Sequence, residues 1–252
     1  MPPKIIAVAG KGGVGKTSVS AAMVRILTEQ HPSARILAID ADPAVGLSTA
    51  LGVPVQKTLD DIRKEIVNKT VSGETREAVD LLHEARFHVF EAMAENAKFA
   101  FLAIGRPETA GCYCGVNAYL KEVIAALADE FDYVVIDGEA GIEQINRRVM
   151  ERVTHLLLVS DQSKKGVSVL HNIRALSGEL IHPERTGAVL NRVQNADWNQ
   201  FVDLGDMELL AVIAPDEAQL QNDIQGLSVF ELPTGSALLV GVERALRRMD
   251  FI

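Results

Sequence analysis

The chain of 252 residues is 48% hydrophobic and 23% charged, enough to bury a large core in one α/β unit. Its net charge of −9 argues against a nucleic-acid coat or an anionic-membrane binder, both of which rely on clustered Lys and Arg. No run approaches the roughly 18 apolar residues of a membrane span, and Met1-Pro2-Pro3-Lys4 leads straight into Ile5–Ala9 without a signal peptide's apolar stretch, so a cytoplasmic protein is expected.

Short apolar, β-branched runs alternate with longer amphipathic ones, the pattern of βαβ units around a parallel sheet. In chain order the expected elements are strand Ile5–Ala9, helix Thr17–Gln30, strand Arg35–Asp40, helices Leu59–Asn68 and Glu74–Ala85, and strands Phe87–Glu91 and Phe99–Ala103. Then come helix Val116–Glu130, strands Tyr133–Asp137 and His155–Ser160, helix Gly166–Leu180, strands Thr186–Asn191 and Glu208–Ile213, and helix Ser236–Arg248. Several strands are apolar nearly throughout, as expected for strands covered on both faces. The charged segment from about Gly52 to Arg86 reads as peripheral to the sheet. With no linker, repeat or low-complexity tract, residues 1–252 are expected to form one domain, a three-layer α/β/α fold with a mostly parallel sheet.

Gly10-Lys11-Gly12-Gly13-Val14-Gly15-Lys16-Thr17 follows the first strand and opens a helix, satisfying G-x-x-x-x-G-K-[ST] in the context that motif requires. The glycines let backbone N–H groups wrap phosphate oxygens, Lys16 reaches the β- and γ-phosphates, and the Thr17 hydroxyl is a ligand for Mg²⁺. ATP and ADP are therefore the expected ligands, on Gly12, Gly13, Val14, Gly15, Lys16, Thr17 and the adjoining Ser18. Lys11, at the start of the loop, cannot easily fold back onto its own nucleotide, which makes a facing subunit its natural target, as for an arginine finger. The loop resembles the deviant Walker A of the MinD/ParA/nitrogenase-iron-protein superfamily, in which this first lysine contacts the partner's nucleotide in a head-to-head homodimer. Relatives often carry a second Thr where this chain has Ser18.

Leu37-Ala38-Ile39-Asp40-Ala41-Asp42-Pro43 delivers two carboxylates to the C-terminal edge of the sheet, on the phosphate crevice. The superfamily resemblance makes Asp42 the group that orients or deprotonates the attacking water and Asp40 its hydrogen-bonding support. The alternative is that both acids cap the following turn. Tyr133–Asp137 followed by Gly138-Glu139-Ala140-Gly141 fits a second switch, with Asp137 holding Mg²⁺ directly or through water. Asn191 ends a later strand. The resemblance implies that it reads the adenine edge and that Ala214-Pro215-Asp216 lies along the base, while as a plain turn residue Asn191 needs no ligand.

The chain's two cysteines, Cys112 and Cys114, lie one residue apart between a strand and a helix. In extended geometry both face the same way, so they could share one metal ion. Two thiolates are too few for a stable site, but a symmetric dimer would supply four, suiting tetrahedral Zn²⁺ or square-planar Ni²⁺. The other reading is a pair of reduced, partly buried thiols. Gly105-Arg106-Pro107-Glu108 through Gly111-Cys112-Tyr113-Cys114-Gly115-Val116-Asn117, with Ile136-Asp137-Gly138-Glu139-Ala140-Gly141 after the next helix, resembles the CooC family. Its members are nickel-insertion ATPases that mature carbon monoxide dehydrogenase, and the related AcsF serves acetyl-CoA synthase. The likeness runs from the phosphate loop to the C-terminal helix. It implies an ATP-dependent dimer that holds metal on four cysteines and delivers Ni²⁺ to its client's cluster.

Two rival readings share the nucleotide machinery. A ParA/MinD-type spatial regulator would need a basic DNA-binding surface or a C-terminal membrane helix. The last helix does set Arg244, Arg247 and Arg248 beside Leu239, Val242 and Leu246, though packing onto the sheet is the commoner use of such a stripe. The other rival is an iron–sulfur scaffold or reductase ATPase; the reductase-type pattern places one cluster ligand in each of two separated regions, whereas here both crowd one loop. Lys164 and Lys165, at a helix start, are read as solvated, and the six histidines show no ligand spacing.

Overall fold

Seven of the apolar runs form parallel strands: β1 (Lys4–Gly10), β2 (Ile36–Asp40), β4 (Ala100–Ala103), β5 (Tyr133–Asp137), β6 (His155–Ser160), β7 (Arg185–Leu190) and β8 (Glu208–Val212). The two-residue β3 (Ala94–Glu95) pairs antiparallel with β4 and extends one edge. The computed structural model describes residues 2–42, 44–72, 84–105, 114–138, 149, 152–200 and 202–252, and of residues 70, 71, 114, 115 and 117 the backbone alone. The strand order is β3-β4-β2-β5-β1-β6-β7-β8. The chain fills the half of the sheet that ends on β5 and then crosses over β1 to begin β6, which makes the C-terminal end of β1 the switch point where a ligand crevice opens.

Helices cover both faces, which is why the strands carry apolar residues without polar alternation. Ile6 and Val8 of β1 pack with Met23 and Leu27 of α1 (Lys16–Gln30), Leu47 of α2 (Gly46–Leu51) and Leu246 of α8 (Ala237–Arg248). Ile5, Ala7 and Ala9 face the other layer, formed by α3 (Leu59–Val71), α4 (Ala85–Ala92), α5 (Cys114–Ala128) and α6 (Lys164–Leu180). Each fully buried Leu or Ile contributes roughly 1.5–3 kcal/mol, so both layers are needed to hold a sheet of this width. The fold is thus the expected three-layer α/β/α arrangement.

The structure corrects several local expectations. Phe87–Glu91 is not a strand but lies inside α4, because Ala85, Val89 and Ala92 form a buried stripe at helical spacing. Phe87 and Phe90, whose aromatic character suggested a strand, point outward and are 61% and 40% exposed. Helix α3 of the segment read as peripheral docks on the sheet, since Leu59, Ile62 and Ile66 are buried in the same cluster as Leu102 and Ile104. Helix α2, strand β3 and the short surface helix α7 (Glu217–Gln225) were not anticipated. The expected helix Glu74–Ala85 lies largely outside the described residues. The stripe of α8 is used against the sheet: Leu238, Leu239, Val242 and Leu246 are buried, while Arg247 and Arg248 pair with Glu243 and Glu208. No helix among the described residues is long and apolar enough to cross a membrane.

One buried cation fastens the C-terminal segment to α1. Arg25 donates from Nη1 to the carbonyls of Val229 and Leu232, each at 2.7 Å, and from Nε to Glu29. Replacing Arg25 with Ala leaves both carbonyls without this donor and should cost about 2–3 kcal/mol. The expected result is a lower urea midpoint with an unchanged m value.

Candidate functional site

The phosphate loop is shaped by backbone conformations that side chains resist. Gly10 has φ of 145°, and a Cβ there would lie 1.9 Å from the Val159 carbonyl oxygen of β6. Gly13 and Gly15 take φ of 79° and 91°, in the left-handed region. Helix α1 then opens at Lys16 with no side chain capping its first turn, so its leading N–H groups face the crevice, as anion binding requires. Lys16 is buried and Val14 anchors the loop in the core, whereas Gly12 and Gly13 form its exposed crest.

Two buried carboxylates stand beside the loop. Asp40 and Asp137 are register partners across β2 and β5. Asp137 Oδ1 accepts from Ser20 Oγ at 2.9 Å, and its Oδ2 is buried without a hydrogen-bond partner. Burial pushes the Asp137 pKa up to about 6, against the Thr17 and Ser20 hydroxyls and the Lys16 ammonium. Burial and the neighbouring Asp137 push Asp40 up to about 7. Two desolvated carboxylates, one with an unpartnered oxygen, next to the Thr17 hydroxyl make an all-oxygen donor set that fits Mg²⁺.

Asp40 also organises the turn that follows β2. Its Oδ1 accepts from the Asp42 N–H at 3.1 Å and its Oδ2 from the Leu47 N–H at 2.9 Å. Asp42 itself accepts from the Ala44 N–H at 2.8 Å, so it caps the turn and also stands at the crevice edge. Three residues after Asp42, Val45 takes φ of 52°, a left-handed conformation that a β-branched residue rarely adopts.

Lys11 is held within its own chain. Its Nζ donates to Asp161 Oδ2 at 2.5 Å, and Ser163 Oγ donates to Asp161 Oδ1. Burial alone would raise the Asp161 pKa, but hydrogen bonds from Lys11 and Ser163 outweigh it and hold the carboxyl below its usual range. Sequence reading missed Asp161, although it follows the end of β6 at the same sheet edge as Asp42 and Asp137. It missed Ser20 as well, whose signal was its position one helical turn after Lys16. Lys164 and Lys165 are exposed, as expected.

On the base side, Asn191 is buried, donates from Nδ2 to the Val14 carbonyl at 2.8 Å, and accepts from the Arg192 N–H at 3.0 Å. Pro215 is exposed at the rim. Ser18 accepts from Gln219 Nε2 at 3.4 Å, linking α1 to α7. Asp216 caps two helices: Oδ1 accepts from the Gln219 N–H in α7, and Oδ2 from Ser236 Oγ and the Leu238 N–H at the start of α8.

Cys112 and Glu139 lie outside the described residues, and of Cys114 only the backbone is described, at the first position of α5. Among the described residues no group of three or more His, Cys, Asp or Glu is arranged to hold a metal ion.

A family profile described as AAA domain (AAA_31) matches residues 3–181. An uncharacterized ATP-binding protein of Methanocaldococcus jannaschii is 34% identical over 251 residues, covering 97% of this chain and 98% of that protein. The carbon monoxide dehydrogenase accessory protein CooC of Rhodospirillum rubrum is 28% identical over 237 residues, covering 90% of this chain and 89% of its own. Among solved structures, the septum site-determining protein MinD of Pyrococcus horikoshii, complexed with Mg-ADP, superposes with a TM-score of 0.68 at 21% identity, covering 98% of this chain and 96% of that one. The fold is that of the MinD/ParA P-loop ATPases.

The Asp216 double cap has a pH signature. Burial would raise its pKa, but hydrogen bonds from Leu238, Ser236, Gln219 and Ala218 outweigh it, so the folded value is lowered. Its contribution to stability is therefore present above the unfolded value of about 3.9 and lost as pH falls through the lower folded value. Asp216→Ala should cost about 1–2 kcal/mol at pH 7, and the gap from wild type should narrow in urea unfolding as pH is lowered below about 3.9.

Proposed function

Because the chain belongs to the AAA domain family AAA_31, we propose that residues 1–252 form one ATPase domain that hydrolyses ATP to ADP and phosphate as a homodimer. In this reading the cycle carries Ni²⁺, or Zn²⁺, on Cys112 and Cys114 of both protomers and delivers nickel to a carbon monoxide dehydrogenase or acetyl-CoA synthase. The observation that carries the ATPase is the uncapped start of α1 facing the buried pair Asp40 and Asp137, with the unpartnered Asp137 Oδ2 between loop and sheet. The Cys-x-Cys segment and the full-length likeness to CooC support the nickel cargo.

Backbone N–H groups of Gly12 to Thr17 and the Lys16 ammonium would hold the phosphates, with Asn191 and Pro215 beside the base. Thr17 and Asp137 would hold Mg²⁺, which offsets charge on the β- and γ-phosphate oxygens. Asp42 would orient a water whose oxygen bonds to the γ-phosphorus and whose proton it accepts, as the bond to the β–γ bridging oxygen breaks and ADP leaves with that electron pair. Lys11 would leave Asp161 for the partner protomer's γ-phosphate. That exchange is cheap, because a half-exposed ion pair is worth about 1 kcal/mol or less. Closing and opening of the dimer would then alter the separation of the two Cys-x-Cys loops, so nucleotide state and metal affinity are coupled, reciprocally.

Metal titration with and without a non-hydrolysable ATP analogue, followed by size-exclusion, tests the whole reading. Lys16→Ala should abolish nucleotide binding, Asp42→Ala should retain binding and lose turnover, and Lys11→Ala should lose both dimerisation and turnover. The Cys112→Ala/Cys114→Ala variant should bind ATP but no stoichiometric metal; uptake of one Ni²⁺ or Zn²⁺ per dimer by it would sink the interface site. Asp161→Asn, which frees Lys11, should strengthen ATP-dependent dimerisation by up to about fivefold in sedimentation velocity.

A further inference from the structure

We infer that Arg192, which lies outside the phosphate-loop motif, is a positioning residue that sets the shape of the phosphate-binding loop. The assignment rests on the nucleotide reading above and goes beyond it. A loop binds anions through its backbone only when its N–H groups turn inward, which turns its carbonyls outward, and each outward carbonyl needs a donor. Four of those donors are identifiable. The Lys11 carbonyl accepts from Lys16 Nζ at 3.3 Å, and the Gly15 carbonyl accepts from the Val19 N–H at 3.0 Å as the first turn of α1. The other two are supplied from just past the end of β7, more than 170 residues away: Gly13 by Arg192 Nη1 at 3.3 Å and Val14 by Asn191 Nδ2 at 2.8 Å.

Consecutive side chains of an extended strand point to opposite sides. Here the chain kinks as it leaves β7. Arg192 takes φ of 58°, a conformation few non-glycine residues adopt, and its N–H is fixed by Asn191 Oδ1 at 3.0 Å. The kink lets two adjacent side chains reach adjacent carbonyls of one loop. It also closes over Gly15, where an added Cβ would sit 2.8 Å from Asn191 Nδ2 and 3.6 Å from Arg192 Nη2. Because Asn191 is buried while Arg192 is exposed, the arginine can be replaced without opening the core.

Competition of ADP and of inorganic tripolyphosphate against a fluorescent ADP analogue tests this on wild type, Arg192→Ala and Arg192→Lys, with circular dichroism confirming the fold. The Ala variant should weaken both ligands by the same factor, about fivefold to tenfold, the worth of one hydrogen bond. The Lys variant, which keeps a donor for the Gly13 carbonyl, should recover most of that loss for both ligands. The salt dependence of affinity should match wild type throughout. Unchanged affinities overturn the assignment. A loss for ADP alone overturns it in favour of a contact to base or ribose, and a flattened salt dependence in favour of a direct phosphate contact. If the wild type binds neither ligand, the nucleotide reading falls and takes the assignment with it.

Discussion

Everything at the catalytic edge depends on how closely β1 and β6 run together. Gly10 is the register partner of Val159, and its α-carbon lies so near the Val159 carbonyl that no side chain fits between them. That contact brings the root of the phosphate loop to the middle of the sheet. It also puts Lys11, one residue on, next to Asp161, two residues past Val159. The remaining carboxylates arrive by the same logic: Val8 pairs with Asp137 and Asp137 with Asp40, so parallel register alone delivers both acids to the edge where the loop opens. Parallel strands of matched length end together, and side chains distant in sequence become neighbours without any special device.

The electrostatic state of that edge follows from the burial. Burial raises the pKa values of Asp40 and Asp137, with the neighbouring Asp137 adding to the rise of Asp40 and Asp42 adding to that of Asp137, because desolvated carboxylates at one sheet edge cannot all be charged cheaply. Among the described residues, Lys16, the Ser20 and Thr17 hydroxyls and the N–H groups of Leu47 and Asp42 offset it only in part. A hard divalent cation lowers both pKa values at once. The cost of burying the acids in the folded chain therefore reappears as affinity for the cation. Lys11 shows the opposite arrangement, a charge held by a half-exposed partner and so easily transferred.

How much of this the sequence disclosed depends on how local each signal is. The loop, the strand-end acids and the amphipathic helices are written in runs of ten to fifteen residues, and periodicity reads them. Phe87–Glu91 was misread because its aromatic and β-branched composition suits a strand, while the stripe Ala85, Val89 and Ala92 that decides for a helix extends past that window at both ends. Asp161 and Arg192 were invisible for another reason. Each acts through a contact spanning more than 140 residues, and only the strand order brings the ends of β6 and β7 beside the loop after β1. The cysteine pair was legible as a motif because Cys112 and Cys114 stand one residue apart in a single short segment.

The backbone ties the exit of β4 to the turn that follows β2. β4 lies beside β2, and as β4 ends the Ile104 N–H donates to the Asp40 carbonyl at 2.9 Å. The Asp60 N–H at the start of α3 donates in turn to the Ile104 carbonyl at 2.9 Å. Asp40 therefore holds the Asp42 turn through its side chain and the exit of β4 through its backbone, and the segment carrying Cys112 and Cys114 begins directly after that exit. Backbone hydrogen bonds in a buried sheet do not stretch to absorb a displacement, because an unpaired N–H there costs as much as the bond itself. A displacement of the turn after β2 cannot shift Asp40 alone; it carries the end of β4 and the first turn of α3 with it. In the proposed cycle that corner would pass a displacement at Asp42 to the end of β4, from which the chain runs on towards Cys112 and Cys114, with no separate relay required.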